Sequence, residues 1–186
     1  ARTLSKGVEL WKTDATATGA QQVKDINKTT TSGSYVNSYS GSQGILSGGI
    51  VYAANTPQYG TEVYRSDGTA AGTKLLADII PGENSSNLQN FISKPNNVYF
   101  TSIVYTTGSP SIAIYKTNGL TVTKLVDVDY YNYYVNSIAA ADNGGLFYQV
   151  YNNYTGQNEV WRTDGTAGGT LQLYAGFSYN SYIAVA

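Results

Sequence analysis

Glu159-Val160-Trp161-Arg162-Thr163-Asp164-Gly165-Thr166 decides the fold, because the same string returns along the chain. It appears as Glu62-Val63-Tyr64-Arg65-Ser66-Asp67-Gly68-Thr69, as Glu9-Leu10-Trp11-Lys12-Thr13-Asp14, and in a degenerate copy, Ala113-Ile114-Tyr115-Lys116-Thr117-Asn118. The copies recur at roughly 50 residues, the period of a repeat architecture. Inside each copy the residues alternate. In the first, second and fourth copies Glu, the aromatic ring and a Thr or Ser take one side; Val or Leu and a Lys or Arg take the other. That alternation is the signature of a strand.

The flanks complete the unit. After each copy comes a Gly/Thr/Ala turn and another short strand, over 74–79 in the second copy and 171–174 in the fourth. Ahead of each lie two more strands joined by a tight turn: 43–47 and 50–54 around Gly48-Gly49, 88–93 and 98–105 around Lys94-Pro95-Asn96-Asn97, 135–141 and 146–151 around Asp142-Asn143-Gly144-Gly145. Asn-Gly and Gly-Gly pairs are hairpin signals. One unit is therefore strand A, turn, strand B, loop, strand C, Asp-Gly turn, strand D. Four antiparallel strands at this period predict an all-β, β-propeller-like fold of four four-stranded blades. No helical periodicity appears. The expected strands fall over 43–54, 61–67, 73–79, 88–105, 111–128, 135–151 and 158–174. The whole chain, 1–186, reads as one repeat domain. Blade 2 covers 34–87, blade 3 covers 88–134 and blade 4 covers 135–179. Blade 1 is split, taking 180–186 together with 1–33.

These motifs resemble the ELWxxDGT repeat family of secreted and cell-surface bacterial proteins, repeat by repeat over the whole chain. The resemblance implies an extracellular propeller-like architecture with no enzymatic activity, and names no ligand. The chain departs from the pattern at Ala15, which replaces Gly in the first copy, and at Ala113 and Asn118 in the third, whose turn is also two residues shorter.

Composition narrows the function classes. Of 186 residues 41% are hydrophobic, enough for a core, and only 12% are charged, about half the usual share. Polarity comes from Thr, Ser, Asn, Gln, Gly and 18 Tyr, a strand-and-turn profile. The net charge is −1 and the 11 basic residues are dispersed, which argues against nucleic acid as a partner. No apolar run of about 18 residues exists, so membrane insertion is not expected. The start, Ala1-Arg2-Thr3-Leu4, lacks the apolar segment of a signal peptide. Cys, Met and His are absent, which fits an oxidising exterior and leaves neither thiolate nor imidazole for catalysis or metal binding. No cofactor is expected and no catalytic residue is assigned. A carboxylate pair for sugar hydrolysis is the one enzymatic alternative among 12 acidic residues, most of them at repeat positions.

The candidate residues follow from the repeats. Asp14, Asp67 and Asp164, with Asn118 in the third copy, read as Asx turns rather than metal loops, since each turn offers one carboxylate and calcium wants about six oxygens. Trp11, Tyr64, Tyr115 and Trp161 should occupy equivalent, mostly buried sites. Glu9, Glu62 and Glu159 lie on the face opposite the Lys or Arg of their strand. Two readings follow: ion pairs with the basic face of the adjacent blade, or solvated rim charges worth under about 1 kcal/mol each. Tyr130, Tyr131, Tyr133 and Tyr134 crowd one loop, 129–134, and read as an interaction surface, because Tyr offers broad amphipathic contact at low entropic cost. Asn27, Asn84 and Asn153 head glycosylation patterns of the kind chance supplies in an Asn- and Thr-rich chain.

Residues 1–5 read as the end of a strand B and 180–186 as a strand A. Both should be paired, because an unpaired strand strands its backbone N–H and C=O groups and exposes an edge. The partner is the chain's own other terminus, giving a ring, or that of a neighbour, giving a filament. The chain equally reads as a piece of a longer array. The expected function is an extracellular or cell-surface structural and adhesive module that self-associates through its terminal strands or binds another surface protein. The alternative is a carbohydrate-binding propeller holding glycans in its loops.

Overall fold

A computed structural model describes residues 2–3, 7–16, 18–28, 42–105, 110–177 and 183. Among them every regular element is a strand. Three four-stranded antiparallel meanders follow one another. The second unit runs β5 (Gln43–Leu46), β6 (Gly49–Thr56), β7 (Gly60–Ser66) and β8 (Lys74–Ala77). The third runs β9 (Leu88–Lys94), β10 (Asn97–Val104), β11 (Ser111–Thr117) and β12 (Val122–Asp129). The fourth runs β13 (Tyr133–Ala140), β14 (Leu146–Asn152), β15 (Gln157–Thr163) and β16 (Leu171–Phe177). The first unit holds two short pairs, β1 (Arg2–Thr3) with β2 (Gly7–Val8) and β3 (Leu10–Lys12) with β4 (Gln21–Lys24). It has the expected B, C and D strands. Of 180–186, where its strand A was expected, only Ile183 lies within the described residues.

Alternation sorts each sheet into two faces, and both are used. In the second sheet Val51, Ala53 and Val63 pack against Leu88, Phe91, Val98 and Phe100 of the third. The intervening Tyr52, Ala54 and Tyr64 turn the other way, toward Leu10 and Ile26 of the first. The third sheet repeats the arrangement: Tyr99, Ile112, Ile114 and Val128 meet Val135, Ile138, Leu146, Tyr148 and Val150 of the fourth. There is thus one core per interface between consecutive sheets. Central strand β6 explains its near-continuous apolar sequence this way, since Val51, Tyr52, Ala53 and Ala54 are all buried. The first strands β5, β9 and β13 run side by side.

One irregularity recurs in every unit. In each C–D pairing two residues of strand D face one step of strand C, between Leu10 and Trp11, Val63 and Tyr64, Ile114 and Tyr115, and Val160 and Trp161. The residue left over is Val23, Leu76, Leu125 or Leu173. A bulge at one fixed place bends strand D and sharpens its twist. Strand A carries a bulge in the third and fourth sheets, at Asn90–Phe91 and at Asn136.

One expectation is revised. Tyr133 and Tyr134 do not belong to a loop running to 134. They open strand β13, where Tyr133 faces Asn152 and Tyr134 faces Tyr151, so the connection from β12 is only residues 130–132.

Candidate functional site

The repeated turns are held by their own side chains. Asp67 Oδ1 accepts from Thr69 N at 2.8 Å and Thr69 Oγ1 at 2.7 Å; Asp164 Oδ1 accepts from Thr166 N and Oγ1 at the same distances. Asp14 does likewise with Thr16, at 3.0 and 2.7 Å. Asn118 Oδ1 accepts from Leu120 N and Thr121 N at 2.9 and 3.0 Å, doing the same work without charge. The hydroxyl two positions before Gly68 or Gly165 accepts that glycine's N–H: Ser66 Oγ at 3.0 Å and Thr163 Oγ1 at 2.9 Å. Thr73 and Thr170 close the loop, each donating to the carbonyl of the Thr four residues earlier. A Cβ on Gly72 or Gly169 would lie 2.1 or 2.0 Å from an oxygen of the Asp carboxylate, so a side chain there would push the carboxylate off its hydrogen bonds. The hydroxyls of Thr69 and Thr166 hold these carboxyls below the ordinary range, with the Thr amides adding to the effect. In each of the three Asp turns Oδ1 takes two hydrogen bonds from the Thr two residues on, so the turn is a structural clasp.

For Glu62 and Glu159 neither sequence reading survives. Among the described residues neither Glu62 nor Glu159 has a Lys or Arg within ion-pairing distance, and neither is solvated. Glu62 is fully buried and accepts from the amides of Ile79 at 2.8 Å and Ile80 at 3.4 Å. Glu9, also buried, accepts from Ile26 N at 3.2 Å. Both carboxylates therefore catch the backbone where it leaves a short strand D. Burial pushes the Glu62 carboxyl up to about 7, opposed by the hydrogen bonds from Ile79, Ser86 and Ile80. Glu159 instead binds Asn152 Nδ2 at 2.7 Å and Trp161 Nε1 at 2.8 Å, and its strand D runs on to Phe177. In the third unit Ala113 has no carboxylate, and strand β12 stays paired as far as Asp129. The basic residues do cross between sheets, but to carbonyls: Arg65 Nη1 reaches Gly119 O at 2.8 Å and Lys24 Nζ reaches Thr73 O at 2.6 Å. The one inter-sheet ion pair among the described residues, Lys94 with Asp142 at 2.8 Å, joins strand A of the third sheet to the A–B turn of the fourth.

The repeated aromatics are equivalent in register. Tyr64 faces Tyr52, Tyr115 faces Phe100 and Trp161 faces Tyr148 across the B–C pairing. Tyr115 and Phe100 stack at 5.4 Å, and Trp161 and Tyr148 at 6.3 Å. Tyr64 is buried; Trp11, Tyr115 and Trp161 are half-buried.

The tyrosine cluster forms a cleft. Tyr130, Tyr134, Asn136, Tyr151 and Asn153 line a volume of about 510 Å³ at the end of the fourth sheet where the β12–β13 connection and the β14–β15 turn meet. Asp129 fixes the connection, accepting from Tyr131 N at 3.0 Å and from Asn132 Nδ2. Asn153 bridges the two segments, donating from N to Asn132 O and from Nδ2 to Tyr131 O, both at 2.8 Å. Tyr130 sits edge-on to Tyr105 at 6.0 Å and to Tyr131 at 6.4 Å. Tyr131 and Tyr134 remain 64% and 53% exposed, whereas Tyr133 packs against the core between the third and fourth sheets. The cluster named from sequence therefore splits: Tyr130 and Tyr134 line the cleft, Tyr131 buttresses it and Tyr133 supports the sheet. Sequence reasoning missed Tyr151, Asn136 and Asn153, which the hairpin register alone brings to Tyr134. No family model matches the chain, and no curated protein is similar to it.

Proposed function

We propose that the chain is a non-catalytic structural and adhesive module of β-propeller type, working outside the cell and associating with copies of itself. The observation that carries this reading is the onward face of the fourth sheet. In the second and third sheets the bulged Leu76 and Leu125 pack into the core shared with the following sheet. Their counterpart Leu173 is 49% exposed, beside Leu171 at 47% and Tyr174 at 55%. Arg162, the counterpart of the sheet-crossing Arg65, is exposed as well. A face built for another sheet of the same kind is best covered by the first sheet of a second copy, which presents Trp11 at the position of Tyr64, Tyr115 and Trp161. Exposed apolar patches of this sort mark association surfaces. The non-catalytic reading rests on the absence of His and Cys and on buried carboxylates engaged in holding backbone or neighbours. The extracellular placement and the propeller type rest on the motif resemblance and on the face-to-face stacking of consecutive sheets.

Sedimentation from about 1 to about 100 µM tests the association. Native protein should run above the 19.9 kDa of one chain, and Leu173→Glu should return it to that mass with its strand spectrum intact. A native protein that stays at one chain's mass at every concentration would mean that the face is closed within the chain, and self-association would be wrong.

A further inference from the structure

We propose that the cleft between the β12–β13 connection and the β14–β15 turn is a binding site for a neutral oligosaccharide. The proposal does not rest on self-association, since the cleft and the onward face of β16 share no residue.

The lining has the chemistry that neutral sugars require and little that any other ligand would use. Its five residues are three tyrosines and two asparagines, with no charge among them. A phosphorylated or acidic ligand would find no cation there, and a purely apolar ligand would leave two amides unanswered. A pyranose presents apolar C–H faces and a rim of hydroxyls, which match aromatic faces beside amides. The volume falls within the range of small-ligand sites.

The side chains are also held in place. Tyr134 and Tyr151 face each other across the β13–β14 pairing, so they form a two-ring wall on one sheet. Tyr130 is braced by edge-on ring contacts with Tyr105 and Tyr131. Asn136 is the bulged residue of β13, and bulges re-aim side chains. Its Nδ2 donates to Asn158 Oδ1 at 2.7 Å, as Asn153 Nδ2 donates to Tyr131 O, so both amides are oriented while each Oδ1 can still accept from a sugar hydroxyl. Among the described residues the hydroxyls of Tyr134 and Tyr151 make no hydrogen bond, so both can bind a ligand. A wall fixed before binding loses little side-chain entropy when a ligand settles on it.

Titration calorimetry with cellohexaose, laminarihexaose, mannohexaose and chitohexaose tests the proposal, with a heparin fragment of equal length as the charged comparison. At least one neutral hexamer should bind with a Kd of about 1 mM or tighter. That affinity should change little with salt, because no charge is involved. Tyr134→Ala and Tyr151→Ala should each weaken it about tenfold or more, while Tyr134→Phe, which keeps the ring, stays within about threefold. Tyr134 is exposed, so its substitution leaves the fold intact even if Tyr151→Ala does not. Leu173→Glu should leave sugar affinity unchanged whatever it does to native mass, which separates failure here from failure of the association reading. The proposal is overturned if none of the four hexamers binds at about 10 mM, if the heparin fragment binds more tightly than all of them, or if Tyr134→Ala binds as well as native protein.

Discussion

At Ala15 the chain occupies a left-handed conformation, φ 67°, where the second and fourth units place Gly68 and Gly165 at φ 82° and 94°. A Cβ there is strained, so Ala15→Gly should raise stability by about 1 kcal/mol, read as a higher urea midpoint with an unchanged slope. A lower midpoint would show that the first turn is built differently from the others. Glu62 gives a pH signature. Its carboxyl is raised to about 7, so the folded state favours the protonated form. That contribution is complete below the ordinary glutamate value and is lost as pH climbs through about 7. Asp14, Asp67 and Asp164 are shifted the other way, and their contribution is lost only on acidification below the ordinary aspartate range. Stability should therefore fall between about pH 4.5 and 8, and Glu62→Gln should flatten that fall. A variant with the same slope as native protein would place the titration elsewhere. The sequence carried the Asp and Thr of the clasp plainly, because both bond within a few residues. It did not carry the partners of the glutamates. Alternation put Glu62 on the aromatic face, but the amides it holds lie on the connection after β8, beyond any strand pattern.

At the scale of the strand, the third unit shows why its departures go together. Ala113 is buried and pairs with Asp127 on β12, whose backbone is engaged in the ladder. Placing there the glutamate of the other three copies, Ala113→Glu, would bury a carboxylate without the amides that Glu62 enjoys and opposite an aspartate. It should cost about 2–5 kcal/mol in denaturant unfolding, although it improves the repeat pattern. A neutral or stabilising result would show that β12 peels away to supply its amides. Phe100 is buried and stacked between Phe91 and Tyr115, so Phe100→Ala should cost about 3–5 kcal/mol, whereas half-buried Trp11 should cost less on the same substitution. Strand order and type were legible from turn residues and alternation. The bulges were not, because Leu76 or Leu125 fits the apolar alternation as well in register as out of it. Composition alone makes Tyr133 and Tyr134 read as loop, whereas their pairing with Asn152 and Tyr151 puts them in β13.

Across the whole molecule the two faces of a sheet differ. One carries paired aromatics; the other carries the bulged aliphatic residue and, at Arg65, the cation that grasps the next turn. Each interface is local, so stability should behave as a sum over neighbours. Phe100→Ala and Tyr148→Ala sit in different interfaces and should combine additively within about 0.5 kcal/mol. A large coupling between them would mean that the sheets do not stack as separable layers. The cations that cross from sheet to sheet also share a direction. Lys24 holds the second unit, Arg65 the third, and Lys94 the fourth, each reaching forward along the chain. A contact between unlike faces is heterologous, so an onward face seated on the first sheet of another copy does not close about a twofold axis. Growth through them is vectorial: any oligomer would have a leading end that differs chemically from its trailing end, and a blocker fitted to one end would leave the other free to elongate.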